Sequence, residues 1–249
     1  MPRFLDTETL FRDRVDAGQR LAKRLESYRH ASPVVFAIPR GGVPVGAEIA
    51  RLLDAELDVV VARKLGAPLH AELAIGAVTA DGERFLNRDI ISQLQVDDAY
   101  LEQITKEQRE EARRREQRFR GGRPPLDVKG RTVLLVDDGL ATGATMRAAA
   151  RSLRKGEPGR LVVAVPVGSR EACAALRKDA DEVVCLAELD PFYAIGLYYE
   201  QFEQVEDAEV LRLLEQPTTP YAETSQFAVA LGQPRPGGDP NSGGDEGHK

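Results

Sequence analysis

The stretch RTVLLVDDGLATGATM, residues 131–146, decides the fold, because it combines three features that phosphate chemistry uses. Its apolar, β-branched run Thr132–Val136 predicts a buried strand. Two acids, Asp137 and Asp138, follow the strand, and a turn of small residues then leads into a predicted helix. A strand, turn and helix in this order direct unpaired backbone N–H groups and the positive end of the helix dipole at one point, which predicts a phosphate site.

The side chains around this turn suit two kinds of ligand. The hydroxyls of Thr142 and Thr145 are donors for a phosphate, whereas Asp137 and Asp138 suit the hydroxyls of a sugar or a hydrated divalent cation. Together they predict a pocket for a ribose 5-phosphate. The alternative is a Rossmann-like strand and turn that carries two acids by chance. A P-loop is excluded because no Gly-Lys-Ser/Thr closes the turn, and a dinucleotide fingerprint is excluded because the GxGxxG spacing is absent.

The composition of the chain is ordinary for a globular protein of 249 residues, with 30% charged and 42% hydrophobic residues. The net charge of −6 argues against a general affinity for nucleic acids or anionic membranes. The sequence has no apolar run long enough to span a bilayer and no secretory leader at Met1. Cys173 and Cys185 lack metal-ligand spacing, so we expect reduced thiols and a cytoplasmic location.

Alternation of helical and extended patterns predicts an α/β fold, a Rossmann-like parallel sheet with helices on both faces. Residues 1–216 are expected to form a single domain, and residues 217–249, rich in Pro, Gly, Ser and acids, a mostly disordered tail. The predicted strands are 33–38, 57–62, 73–78, 84–86, 132–136, 161–166 and 182–186. The predicted helices are 7–28 (capped by Thr7), 43–53, 97–119, one that begins near 146, 169–178 and 206–214.

A second candidate site follows the first predicted strand, in IPRGGVP, residues 38–44. The Gly41-Gly42 turn lets the backbone approach a ligand closely, and Arg40 brings a rigid fork of donors that suits phosphate. Taken alone, the pattern is equally typical of a bare turn. Arg63 and Lys64, at the end of the next strand, are either further phosphate partners or an ordinary solvated basic pair.

The long helix 97–119 carries arginines and glutamates interleaved at helical spacing, which predicts ion pairs on a solvated surface. Its exit, residues 118–123, differs because it joins arginines to Gly121-Gly122. The glycines are expected to give this exit mobility, and its arginines give it positive charge. The aromatic run LDPFYAIGLYYEQF, residues 189–202, is either a packed edge or a platform for a flat heterocycle.

The sequence DDGLATGAT, preceded by VLLV, resembles the phosphoribosyl pyrophosphate (PRPP) motif of type I phosphoribosyltransferases. The resemblance implies that Asp137 and Asp138 hold the ribose 2- and 3-hydroxyls. It implies that the 5-phosphate is held by Ala141, Thr142, Gly143, Ala144 and Thr145. IPRGG resembles the pyrophosphate loop of this family, which implies pyrophosphate binding by Arg40, Gly41 and Gly42. Several family members also place a Lys at the end of the second strand, which implies the same role for Lys64, with Arg63 as its alternate. The resemblance also implies a non-proline cis peptide around Arg40-Gly41. The family's mobile lid is implied within residues 79–125, either at the exit 118–123 or in the hairpin 79–87.

The aromatic run resembles the hood of hypoxanthine/guanine phosphoribosyltransferases, here expected near residues 187–205. Aligned on Gly196, the resemblance implies that Tyr193, or Phe192 as its alternate, stacks on the base, and that Glu200 joins Asp137 and Asp138 near Mg²⁺. Two departures leave the base open. Ala141 stands where those enzymes have an Asp, and their hood Lys is replaced by Asp190-Pro191-Phe192.

The activity implied is transfer of ribose 5-phosphate from PRPP to a nitrogenous base, with a purine-like acceptor favoured, release of pyrophosphate and a place in nucleotide salvage. Asp137, Asp138, Arg40 and Lys64 are the expected catalytic residues, and Mg²⁺ the expected cofactor. Glu72, Asp190 and Glu200 are candidates for a general base on the acceptor. More narrowly, IPRGGVPVG, ARKLGAP, ELAIGAV and FRGGRPP resemble a bacterial group of predicted phosphoribosyltransferases with undefined acceptors. A homodimer is expected by the same resemblance.

Two other functions remain open. A PRPP-sensing regulator would keep the fold and the pocket without turnover, and a hydrolase or phosphorylase would use the same pocket.

Overall fold

The computed structural model describes residues 9–215. Thr7, the predicted cap of the first helix, and the predicted tail, residues 217–249, lie outside the described residues. The strands are β1 (Val34–Ala37), β2 (Glu56–Val59), β3 (Ala62–Ala67), β4 (His70–Thr79), β5 (Arg84–Leu86), β6 (Thr132–Val136), β7 (Arg160–Ser169) and β8 (Glu182–Leu189). The helices are α1 (Arg14–Arg24), α2 (Gly42–Leu53), α3 (Arg88–Gln93), α4 (Asp98–Arg120), α5 (Ala144–Arg154), α6 (Arg170–Leu176) and α7 (Asp207–Glu215).

The main sheet has five parallel strands in the order β2-β1-β6-β7-β8, so β6 is central. Alternate residues of each strand face opposite sides, because strand side chains have a period of two. Val35, Leu134 and Val162 pack against α1 and α2, whereas Val133, Leu135 and Val163 pack against α5 and α6. The expected Rossmann-like architecture, with helices on both faces, is confirmed.

The predicted strand 57–62 is correct for residues 57–59, which lie in β2, but it does not continue, because Ala62 begins β3 in a different sheet. Val60 N still donates to Ala37 O. Beyond that point β1 has no further N–H for the chain after β2, because Ile38 N donates to Val136 O of β6 and Pro39 has no N–H. The chain therefore leaves the main sheet, and β3 pairs with β4 in a separate antiparallel sheet, β3-β4-β5.

The predicted hairpin between β4 and β5 is confirmed, and its turn contains Gly82 at φ +92°. Other boundaries shift. Strands β7 and β8 run three residues further than predicted, to Ser169 and Leu189, so the first part of the expected hood is strand. Helix α3 was not predicted because its six residues bury none of their side chains, which leaves no apolar periodicity to read. Among residues 9–215, no helix combines the length and the apolar character needed to cross a bilayer.

Candidate active site

Asp137 and Asp138 lie at the carboxyl end of the central strand β6, where ligands bind in open α/β sheets. Asp138 is only 8% exposed, and its backbone N–H donates to Asp137 Oδ1 at 2.9 Å. Burial raises the pKa of both carboxyls, and the neighbouring charge of Asp138 raises that of Asp137 further. The positive charges of Arg14 and Lys64 oppose this rise at Asp137. The two acids therefore depend on nearby cations for their ionised form.

Arg14 is the residue of the site that the sequence did not reveal. It lies at the start of α1, its Nε donates to Asp138 Oδ2 at 2.8 Å, and its side chain is only 12% exposed. Its Nη1 donates to Glu203 O at 2.8 Å, and the guanidinium lies 3.8 Å from the centre of the Phe202 ring. Nothing in the local pattern separates Arg14 from other arginines of α1, because its partners are more than 100 positions away.

Each acid uses one carboxylate oxygen within the protein and leaves the other open. Asp137 Oδ1 accepts from the backbone, and Asp138 Oδ2 accepts from Arg14. Asp137 Oδ2 and Asp138 Oδ1 accept no hydrogen bond from any residue in 9–215. Adjacent residues thus present two carboxylate acceptors at one strand end, an arrangement that suits two neighbouring hydroxyls.

The turn after the acids is held by the neighbouring strand. Leu140 N donates to Val167 O at 2.9 Å, Ser169 N donates back to Leu140 O at 2.8 Å, and Ser169 Oγ donates to Ala141 O at 2.8 Å. Gly143 caps α5 at φ +78°, a conformation that favours glycine, and no acid occupies the first turn of the helix. Thr142 is exposed. The amino end of α5 is therefore open to an anion.

The turn faces a cleft of about 410 Å³ that also contains Lys64. The cleft is lined in addition by Glu72, Phe85, Asn87, Arg147, Ser169 and Glu171, among others. The structure thus places Lys64 beside the expected phosphate turn. It also places Glu72 there, whereas the other two candidates for a general base, Asp190 and Glu200, do not line this cleft.

The expected pyrophosphate loop packs directly on the acids. Its cis peptide is Pro39–Arg40, one bond before the expected position. A Cβ at position 41 would lie 2.0 Å from Asp138 Oδ2, and one at position 42 would lie 2.8 Å from Val136 O. Glycine is required at both positions because the loop approaches the strand end this closely.

Arg40 and Arg63 have acidic or polar partners of their own. Arg40 Nη1 lies 3.6 Å from Asp207 and 3.8 Å from Glu206, at the start of α7, and Asp207 also pairs with Arg118 at 2.6 Å. Arg63, the alternate to Lys64, is on the other side of β3, since strand neighbours face opposite ways. Its Nε donates to Gln108 of α4 at 3.0 Å, so Arg63 is not brought to the cleft.

The hood is tied to the acids through Tyr199, whose hydroxyl donates to Asp138 O at 2.6 Å. Burial raises the pKa of Tyr199, which keeps it a neutral donor. Phe192 packs on Tyr198 with ring centres 5.2 Å apart, whereas Tyr193 is 49% exposed, and neither lines the cleft. Glu200 is exposed. Among residues 9–215 there is no group of three or more His, Cys, Asp or Glu side chains placed to bind one metal ion, so Glu200 does not form a metal site with Asp137 and Asp138.

The exit of α4, one of the two expected lids, is anchored. Arg120 pairs with the buried Asp58 at 3.0 Å and with Glu116 at 2.6 Å. Arg123 Nη1 donates to Leu214 O of α7 at 3.1 Å. These contacts hold residues 118–123 against β2 and α7. At the other candidate, the β4–β5 hairpin, the turn carries Asp81 and Glu83, which pair with Lys155 immediately after α5. Both cysteines are free.

Comparison with known proteins agrees with this geometry. Residues 10–202 match the family model of the phosphoribosyl transferase domain, and the chain belongs to that family. Two proteins from strains CDC 1551 and H37Rv of Mycobacterium tuberculosis, provisionally named phosphoribosyl transferases, are each 43% identical over 225 residues, or 90% of this chain. The chain spans about half the length (51%) of these curated relatives. The crystal structure of TT1426 from Thermus thermophilus is 46% identical, with a TM-score of 0.70, over 82% of this chain and 97% of that one.

Proposed function

We propose that the chain transfers ribose 5-phosphate from PRPP to a nitrogenous base, with release of pyrophosphate. The observation that carries the proposal is the pair of open carboxylate oxygens, Asp137 Oδ2 and Asp138 Oδ1, beside an open helix amino terminus. PRPP carries two neighbouring hydroxyls and a 5-phosphate on one ring, so it matches both features at once. Family membership supports the same reaction class.

In the proposed complex, the 5-phosphate lies on the turn formed by Ala141, Thr142, Gly143, Ala144 and Thr145. The backbone N–H groups at the start of α5 and the threonine hydroxyls donate to it. The open oxygens of Asp137 and Asp138 accept from the ribose hydroxyls. Their negative charge then lies near C1, where positive charge develops as the bond to pyrophosphate breaks.

The leaving pyrophosphate is expected between the Gly41-Gly42 loop and Lys64. Gly42 N already donates to Ile38 O at 3.0 Å, so the Gly41 N–H is the glycine donor that remains for the leaving group, next to Asp138. Lys64 supplies a positive charge in the cleft beside the phosphate turn. Arg40 contributes once it turns from Asp207 and Glu206 toward the phosphates.

Mg²⁺ is the proposed cofactor. Carboxylate oxygens are the ligands this ion prefers, and it commonly binds through one or two carboxylates together with phosphate oxygens and water. The two open oxygens of Asp137 and Asp138 fit that role, and PRPP would provide the remaining ligands. When bound, the ion would neutralise charge on the departing pyrophosphate. Glu200, which is exposed and outside this pair, is not needed as a ligand.

The acceptor is proposed to be purine-like, as part of nucleotide salvage in the cytoplasm. Tyr193 is half exposed on the hood, so its ring is available for a flat heterocycle, whereas Phe192 is committed to Tyr198. Glu72 is the preferred general base because it alone of the three candidates lines the cleft. A homodimer is proposed as the working assembly.

Product analysis tests the proposal. The protein is incubated with PRPP, Mg²⁺ and each of a panel of purine and pyrimidine bases, with Asp138→Asn as the control, and nucleotides and pyrophosphate are quantified. A nucleotide and pyrophosphate in equal amounts, from wild type alone, are expected with one base. Ribose 5-phosphate without a nucleotide would indicate a hydrolase instead. PRPP binding without any product would favour the PRPP-sensing regulator.

A further inference from the structure

A second cleft, remote from the acids, lies between α4 and β5. It has a volume of about 460 Å³ and is lined by Arg84, Glu102, Thr105, Lys106, Arg109, Glu110 and Arg113. We call it the α4 cleft. Four of its seven side chains are cations and two are acids, so its walls carry a net positive charge in a protein whose net charge is −6. None of its residues lines the cleft beside the phosphate turn.

The cations of the α4 cleft differ from the other arginines of the same helix. Arg114 and Arg115 pair with Glu111, and Arg120 pairs with Glu116, as expected for interleaved charges. In contrast, the four cations of the cleft form no ion pair with any other described residue, whether in the helix or outside it. The sequence predicted surface ion pairs along the whole helix. The structure shows ion pairs at Arg114, Arg115 and Arg120, whereas the four cations that line the cleft make none with a described residue.

One of these cations is held in place by the hairpin turn. Arg109 Nη2 donates to Asp81 O at 3.3 Å. A Cβ on Gly82 would lie 2.9 Å from the Arg109 guanidinium carbon, so the turn and the guanidinium are in close contact. An arginine with its orientation fixed in this way loses less conformational entropy when it binds a ligand.

The α4 cleft also contains a polar atom without a partner. Thr105 Oγ1 is hidden from solvent and forms no hydrogen bond to any other residue in the described part of the chain. A buried hydroxyl left in this state costs on the order of 1–3 kcal/mol, so such groups are rare in native proteins. A ligand oxygen would satisfy it once a side chain that covers the hydroxyl moves aside.

We propose that the α4 cleft is a second binding site, which takes a small molecule carrying two linked phosphates. Compact phosphate groups suit three guanidiniums and an ammonium, and the volume is in the range of small-molecule sites. The recognised group is the diphosphate, supplied either as inorganic pyrophosphate or as part of a nucleoside diphosphate. The site is separate from the acid pair and from the phosphate turn, and PRPP, which also carries two linked phosphates, belongs to the same class of ligand.

Calorimetric titration with inorganic pyrophosphate and with ADP tests this proposal. The titrations use the Arg40→Ala/Lys64→Ala protein, so that the proposed pyrophosphate site near the acids does not contribute. Pyrophosphate is expected to bind with one site per chain, and ADP to bind the same site. Failure of pyrophosphate to bind would overturn the proposal, as would binding of ADP alone.

Two further variants in this background locate the site. Arg109→Ala/Arg113→Ala is expected to weaken binding about tenfold or more, because two charge-assisted contacts are lost. The matched control, Arg114→Ala/Lys129→Ala, removes two exposed cations elsewhere and is expected to change the affinity less than twofold. Equal weakening in both would show general charge attraction and overturn the assignment.

Thr105→Val tests the hidden hydroxyl with little change of shape. We expect weaker diphosphate binding, by about threefold or more, without loss of thermal stability, since a buried unpaired hydroxyl is removed. Unchanged affinity would exclude Thr105 from the site and contradict the proposed location.

Discussion

A methyl group added at Gly41 should disrupt the acid pair through one specific contact. In Gly41→Ala the new Cβ would lie 2.0 Å from Asp138 Oδ2, whereas such contacts essentially never fall below 3.0 Å, so the carboxylate must retreat by about 1 Å. That retreat breaks or stretches the buried Arg14–Asp138 ion pair, now 2.8 Å long. Position 41 has φ −61° and ψ −33°, which alanine adopts readily, so the cost is steric and electrostatic rather than conformational.

Overpacking a core typically costs about 1–3 kcal/mol of unfolding free energy, and breaking a buried ion pair costs about 3–5 kcal/mol. For Gly41→Ala we expect a loss between these two, of about 2–4 kcal/mol. The three atoms nearest the added Cβ all belong to the side chain of Asp138. In an Asp138→Ala background the clash is therefore absent. There, Gly41→Ala should be neutral or stabilising by up to about 1 kcal/mol, because alanine restricts the unfolded chain.

The assay is urea unfolding of the four proteins of this cycle, followed by circular dichroism. Asp137→Ala is the matched background, since Asp137 is not among the nearest atoms at position 41, and there Gly41→Ala should keep its full cost. A coupling energy of at least about 2 kcal/mol between positions 41 and 138 is expected. An equal cost of Gly41→Ala in the wild-type and Asp138→Ala backgrounds would refute the reasoning.

Three further predictions concern other contacts. Arg14→Ala should weaken PRPP binding by about tenfold or more in calorimetry, because Arg14 orients the Asp138 carboxylate and favours its ionised form. Arg14→Lys should recover part of the affinity. Affinity of Arg14→Ala within twofold of wild type would contradict this role. In the Arg109→Ala/Arg113→Ala background, Asp207→Asn should leave Arg40 with Glu206 alone and tighten pyrophosphate binding up to about fivefold, as expected for a partly exposed ion pair worth no more than about 1 kcal/mol. Weaker binding would be the contrary result. The hydrogen bond from Tyr28 lowers the pKa of Glu182 below 4.5, so this contact stabilises the fold above that pH and is lost as the pH falls through the folded pKa. Tyr28→Phe should therefore lower the unfolding free energy by about 0.5–1.5 kcal/mol at pH 7, as measured by thermal unfolding. The difference from wild type should vanish at low pH. A difference that does not change with pH would contradict the assignment.

Local patterns were enough to predict most of the main sheet. The β-branched run of β6 and the acids after it form one local unit, and the alternation of strands and helices limits the possible arrangements to a parallel sheet. The antiparallel hairpin was also readable, because its turn sequence is short and contains a glycine. The point near Val60 where the chain leaves the main sheet for the antiparallel sheet could not be predicted, because it depends on where the partner strand β1 ends.

The contacts that complete the candidate site are long-range and carry no local pattern. Arg14 reaches Asp138 across 124 positions, and Arg120 reaches the buried Asp58 across 62. Each looks like any surface arginine in the sequence. The opposite sides taken by Arg63 and Lys64 follow from strand alternation, but only once the strand is known to continue through both residues.

The central claim is that Asp137 and Asp138 hold the ribose of PRPP. Calorimetric titration of PRPP with Mg²⁺ into wild type and into Asp137→Asn/Asp138→Asn tests it most directly, with Arg109→Ala/Arg113→Ala added to both proteins so that the α4 cleft does not contribute. The account predicts binding by wild type and a loss of affinity of at least about a hundredfold in the variant, equivalent to ~2.7 kcal/mol. Binding within about twofold of wild type would contradict it.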